Sequence, residues 1–183
     1  LLMMPGAIVM AIMSPITGRL FDEFGGRVLA IIGLTITVFT TYLLSNLSLT
    51  SSFFYIMAIF MLRMLGMSLT MMPVMTSGLN QLPLSQNPHG TAMNNTLQQI
   101  SGAIGSAVII TIMNGKMAKR SNELIESGQL LSKTEISQLA MLDGINFSFF
   151  VSTLIAAVGL VLAFFIKRVD PNESKLNEER LSK

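Results

Sequence analysis

Polar and charged positions fall in clusters along the chain, and long apolar runs separate them. Stretches without Asp, Glu, Lys, Arg or His cover 1–18, 28–62, 64–88, 90–115 and 144–166. A bilayer core about 30 Å thick is crossed by roughly 20 apolar residues in a helix. The pattern predicts five membrane-spanning helices, at about 1–17, 28–44, 53–77, 89–113 and 145–166. The second run is too long for one helix, and the polar stretch Ser45–Ser52 divides it. Pro83 and Pro88 bracket a short loop, with Asn87 and Pro88 suiting an N-cap and first helical position. The alternating ten-residue segments of a transmembrane barrel are absent.

Between the last two spans, 114–144 mixes charges with apolar residues such as Leu124, Ile125, Ile136 and Leu139. One or two short amphipathic helices at the membrane interface fit this pattern, and so does a solvated linker. The end of the chain, 169–183, reads as a polar tail.

Composition agrees. Hydrophobic residues make up 51% of the 183 positions and charged residues only 12%, half the usual share of a soluble domain. A soluble domain, a nucleic-acid binder and a disordered tail are thereby excluded. With no cysteine, disulfides and thiolate metal sites are excluded too. The opening Leu1-Leu2-Met3 has no basic leader and no initiating Met. It reads as a chain cut near the start of a membrane helix, or else as a processed small protein. The loop after span one and the C-terminal flank hold seven Lys and Arg, against four in 114–144. That bias places the first loop and the tail in the cytoplasm and 114–144 outside.

Three segments carry candidate chemistry. The first loop reads Gly18-Arg19-Leu20-Phe21-Asp22-Glu23-Phe24-Gly25-Gly26-Arg27. Its glycines permit close approach and a tight turn. Asp22 can pair or cap, and Arg27 can reach a carboxylate or a lipid phosphate. By physics alone this is a rigid charged hinge or a plain positive-inside loop.

Arg63 stands about 15 Å into span three. An arginine there costs about 2.5 kcal/mol or more unless it faces protein or a wet cavity. It serves either a substrate or proton path, or a structural need. Span four carries Asn94, Asn95, Gln98 and Gln99 within six residues. Thr91, Asn95, Gln98, Gly102 and Gly105 share one face. Buried amides must find partners, so that face meets other helices, a cavity, or both. Gly102, Gly105 and Ser106 form a small-residue contact stripe, and Gly66 is a further close-packing position. His89 fits a neutral role at the first turn of span four. The 15 methionines are scattered through the spans as packing filler. No catalytic set, metal cluster or phosphate loop appears in the sequence, so an enzyme is not expected.

The order Gly18, Leu20, Asp22, Gly25, Arg27 resembles the cytoplasmic loop motif of the major facilitator superfamily. Glu23 departs from it, since the usual residue there is basic. Arg63 with Gly66 and then Met71-Met72-Pro73 is similar to a helix motif of the facilitator antiporters. The string His89-Gly90-Thr91-Ala92-Met93-Asn94-Asn95-Thr96, with Gln99 and Gly102-Ala103-Ile104-Gly105, resembles the fourteen-helix drug:proton antiporters, the EmrB/QacA group. The resemblance covers about 1–168.

It implies an all-α membrane protein, five helices forming most of the C-terminal half of a facilitator fold. It implies multidrug efflux of lipophilic or cationic compounds, driven by a proton gradient with no bound cofactor, in a bacterial cell membrane. The loop motif would be a conformational latch, and Arg63, Asn94, Asn95, Gln98 and Gln99 would line the cavity. The partners implied are the lipid bilayer, small-molecule drugs and the missing N-terminal helices. The proton-carrying carboxylate would lie in those helices, since no acidic residue falls inside a predicted span. The alternatives are a self-contained small membrane subunit or scaffold, and a facilitator transporter of another solute.

Overall fold

A computed structural model describes residues 3–79, 82–127 and 132–165, except the side chains of Met3, Asp22 and Leu84. The described residues form five long helices and no strand. They are α1 (Met3–Phe24), α2 (Gly26–Leu44), α3 (Phe53–Leu79), α4 (Asn87–Glu126) and α5 (Lys133–Ala163). A single 3-10 turn, Leu84–Gln86, leads into α4. All five helices are long and apolar enough to cross a membrane. At 1.5 Å per residue α2 is about 28 Å long, close to one hydrocarbon thickness.

Helix α3 packs along both α1 and α2, while α5 packs on α2 and α4. Helix α2 is therefore enclosed on two sides and buries Leu29, Ala30, Gly33, Thr40, Thr41 and Leu44. Its buried threonines do not need outside partners. Thr40 donates to the Ile36 carbonyl and Thr41 to the Thr37 carbonyl, both at 2.7 Å. Such bonds satisfy a hydroxyl inside its own helix.

Glycines set the α2–α3 approach. A Cβ at Gly33 would lie 2.6 Å from the Gly66 carbonyl oxygen, and one at Gly66 would lie 2.9 Å from that of Gly33. Helices with side chains at these two positions could not come so close. Against α1, α3 offers Phe60 and Met64 to Gly6 and Ser68 to Thr17, whose hydroxyls lie 3.4 Å apart.

Several helix ends differ from the sequence expectation. The first loop is almost wholly helical: α1 continues through Phe24 and α2 begins at Gly26. Asn87 is the first residue of α4 and not its cap; Gln86 takes the cap position without a side-chain bond. The segment 114–144 does not form separate short helices. Helix α4 runs on to Glu126 and α5 starts at Lys133, so most of the segment is a helical hairpin. Its polarity changes along the helix, but its backbone hydrogen bonding does not. Leu124 and Ala140 are buried between its two arms. Gly144 fits against the Met113 carbonyl, where a Cβ would lie 2.9 Å away. Ser132 and Glu135 close a capping box at the start of α5. The Leu1 start and the tail after 165, with Lys167 and Arg168, lie outside the described residues.

Candidate functional site

The motif from Gly18 to Arg27 folds as a helix–helix corner broken at one residue. Gly25 has φ 78° and ψ 157°, a region essentially reserved for glycine. Its N–H still bonds the Phe21 carbonyl at 3.0 Å, so α1 is hydrogen-bonded up to the break. Gly18 and Leu20 lie on α1, both half-buried. Asp22 is in α1 too, but its side chain lies outside what is described. Arg27 Nη2 donates to the Phe164 carbonyl at 2.7 Å. The last carbonyls of a helix lack intrahelical partners and carry partial negative charge. A cation at the start of α2 thus closes the end of α5. The sequence suggested a carboxylate or lipid phosphate as a partner of Arg27; among the described residues its partner is a backbone oxygen.

Arg63 occupies the middle of α3 and is half-buried. Its Nε is inaccessible to solvent, and nothing among the described residues hydrogen-bonds it. Arg63, Met67, Met71 and Val74 recur at steps of four, four and three, one stripe of the helix. Met71 and Val74 are exposed. Arg63 and Met67 are half-buried, and Phe60, one turn before Arg63, abuts Gly6 of α1, so the stripe opens only at its Met71–Val74 end.

Helix α4 touches α3 only weakly, near the turn where Gly90 meets Leu79 and Leu82. Beyond the turn Asn95, Gln98 and Gln99 are exposed, and Asn94 is half-buried with its Nδ2 unpartnered. A Cβ at Gly102 or Gly105 would meet open space, and Ser106 is exposed. The small-residue stripe therefore has no partner among the described residues, unlike Gly66. Nor does the structure bring Arg63 to the amides. Counted from the level where Leu79 meets Gly90, at 1.5 Å per residue, Arg63 lies about 24 Å along α3 and the amides about 6–14 Å along α4.

One regularity of α4 was missed. The stripe Thr91, Asn95, Gln98, Gly102 continues through Ser106, Ile109, Met113, Met117, Arg120 and Leu124 at steps of three and four. Its second half is the α5 contact. Its first half, on the same side, holds the amides and small residues that nothing described covers. A single stripe changes from hydrophobic seam to polar seam along one helix.

Other contacts were also missed. Asn146 accepts from the Leu47 N–H at 3.2 Å and donates to the Leu47 carbonyl at 2.8 Å, pinning the α2–α3 loop to α5. An asparagine inside an apolar run was the available signal. Arg120 Nε lies 2.8 Å from Asp143 across the hairpin, and Arg120 Nη1 lies 3.3 Å from Glu123. The Asp143 contact is an ion pair by distance, although the N–H points off-line and leaves Nε without a hydrogen bond. Among the described residues no group of acids or His could hold a metal ion.

Comparison with known proteins gives the fold its context. The MFS-type transporter YhcA of Bacillus subtilis (strain 168) is 41% identical over 98% of this chain and 40% of its own length. The lincomycin resistance protein LmrB of Listeria innocua is 39% identical over 92% of this chain and 35% of its own. The colistin resistance protein EmrB of Acinetobacter baumannii is 26% identical over 68% of this chain and 24% of its own. The chain thus spans about two fifths or less of these relatives. No solved structure matches it. Residues 1–106 match the Major Facilitator Superfamily, and with five apolar helices and transporter relatives along almost its whole length, the chain belongs to that family of multi-pass membrane transporters.

Proposed function

We propose that this chain forms five helices, most of the C-terminal half, of a transporter that exports lipophilic, often cationic, compounds in exchange for protons. The observation that carries the reading is Arg63: a mid-membrane guanidinium with a buried, unpartnered Nε, on a stripe that ends in exposed Met71 and Val74. A buried donor left unsatisfied costs about 1–3 kcal/mol, so it is kept where a substrate, water or another helix completes it. The uncovered amides Asn94, Asn95, Gln98 and Gln99 support the same cavity, nearer the α3–α4 turn. Relatives named for resistance to lincomycin and colistin support drug-like cargo. The helices that complete the cavity, and the carboxylate that carries the proton, belong to the part of the transporter outside this chain.

In this reading the Gly25 corner faces the cytoplasm and the α4–α5 hairpin faces outward, following the Lys and Arg bias. The corner acts as the latch between inward- and outward-open states. The test is ethidium efflux by the full-length transporter in efflux-deficient cells. Removing a charge-assisted contact worth about 1.5–3 kcal/mol predicts a roughly 10- to 100-fold loss of efflux for Arg63→Ala. Gln98→Ala is expected to lose less. Unchanged efflux in both variants, at equal membrane expression, refutes the cavity assignment.

A further inference from the structure

Away from Arg63 and the amides, a cavity of about 400 Å³ opens where α2 ends, lined by Tyr42, Ser45, Lys116, Asp143, Asn146 and Phe150 among others. Its position in the bilayer follows from sequence. Leu44 closes the apolar part of α2, Lys116 is the first charge after the run 90–115, and Asp143 is the last before the run 144–166. Three apolar runs end at one cavity, so it sits at headgroup level. Tyr42 and Phe150 are exposed large side chains there, in keeping with an interfacial aromatic belt.

The cavity's polar groups divide into used and unused. Both ends of the Asn146 amide are spent on Leu47, and the Ser45 hydroxyl donates to the Tyr42 carbonyl. The Asn46 amide N–H groups bond the Tyr42 carbonyl and the Ser45 hydroxyl, and Arg120, outside the lining, is taken up by Asp143 and Glu123. Lys116 makes no ion pair among the described residues; its ammonium lies 5.4 Å from the centre of the Phe147 ring. The Tyr42 hydroxyl has no hydrogen bond within the described residues. Asp143 engages Arg120 through Oδ2 alone and keeps 40% of its side chain exposed. The cavity thus offers two free donors, Lys116 and Tyr42, beside a carboxylate oxygen.

We propose that this cavity binds the zwitterionic headgroup of a phosphatidylethanolamine from the leaflet opposite Gly25. The phosphate accepts from Lys116 and Tyr42, and the headgroup ammonium donates to Asp143. Lysine is a good point-charge partner for phosphate, and the volume equals roughly a dozen waters, room for a headgroup. The acyl chains leave past Phe150, one turn deeper on α5. The site is separate from the export reading, since it needs only the chain's place in a membrane.

The test is native mass spectrometry of the intact gene product, equilibrated in detergent with dioleoyl phosphatidylethanolamine, phosphatidylcholine or phosphatidylglycerol. Ethanolamine lipid is expected to be retained at least fivefold more than the other two. Lys116→Gln lowers that retention at least fivefold, while Lys116→Arg keeps it. Asp143→Asn removes the preference over choline lipid; Arg120→Gln, which breaks the same ion pair, leaves it. Size-exclusion profiles confirm that each variant is folded, and the Arg and Gln variants at 116 are compared only as a folded pair. Equal retention of all three lipids, or wild-type retention in Lys116→Gln, overturns the proposal. Displacement by millimolar free phosphoethanolamine also overturns it, because the site would then serve a soluble solute.

Discussion

Alanine at Gly33 or Gly66 tests the packing at the centre of the bundle. In an exposed helix interior the change from Gly to Ala is favourable by about 0.5–1 kcal/mol, because Ala loses less backbone freedom. Here sterics oppose it. A Cβ on residue 33 would lie 2.6 Å from the Gly66 carbonyl oxygen and 3.0 Å from the Leu69 carbonyl carbon. Those are backbone atoms, so no rotamer change relieves them; α2 and α3 must separate. Overpacking of this kind costs about 1–3 kcal/mol. The net expectation for Gly33→Ala is a loss of about 1–2 kcal/mol, or a 5- to 30-fold shift toward the unfolded state. Gly66→Ala should lose less: both sites also face a threonine hydroxyl that can turn away, but a Cβ at Gly66 meets only one backbone atom, the Gly33 carbonyl oxygen at 2.9 Å. Unfolding in mixed micelles by added dodecyl sulfate, followed by circular dichroism, measures the difference. Gly33→Ala as stable as wild type would refute the close approach of α2 and α3.

Two further changes test other parts of the fold. Gly25→Ala places a Cβ at φ 78° and ψ 157°, costing about 1–3 kcal/mol with no neighbour to clash; a lowered melting temperature checks this, and an unchanged one counts against the corner geometry. Asn146→Ala deletes two hydrogen bonds to Leu47, each worth about 1 kcal/mol; limited proteolysis should then cut 45–52 faster, and an unaltered rate would mean the loop is held by other contacts.

The helices were legible because charge avoidance is a strong signal: a charge in hydrocarbon is expensive, so the apolar runs mark where the lipid is. The same signal misled at α4. Lys116, Lys119 and Glu123 ended the apolar run, and the run's end looked like the helix's end. Those residues change the solvent of the helix and leave its 3.6-residue stripe intact, as Met113, Met117 and Leu124 show by packing on α5. Ser132-x-x-Glu135 before an apolar run was a capping signature in plain view. Contacts between distant segments were not legible at all. Gly33 opposite Gly66, Arg27 on the Phe164 carbonyl and Asn146 on Leu47 depend on which helices become neighbours, and spacing within one segment carries no record of that. Arg63 was legible from depth alone, whereas the exposure of Met71 and Val74 beyond it needed the positions of α1 and α2.

The break at Gly25 is a joint one residue long, and a joint that short has two torsions and no slack. Helices linked by a long loop can drift apart before either feels the other. Here any tilt of α1 against α2 must turn about a single point. That point lies two residues from Arg27, whose side chain holds the far end of α5. Gly26, next to it, leaves a Cβ only 2.8 Å from Phe21 and 3.3 Å from the Pro73 carbonyl, so α3 is seated on the same point. Four of the five helices are therefore geared through about three consecutive residues, and a small rotation there moves the bundle as one piece.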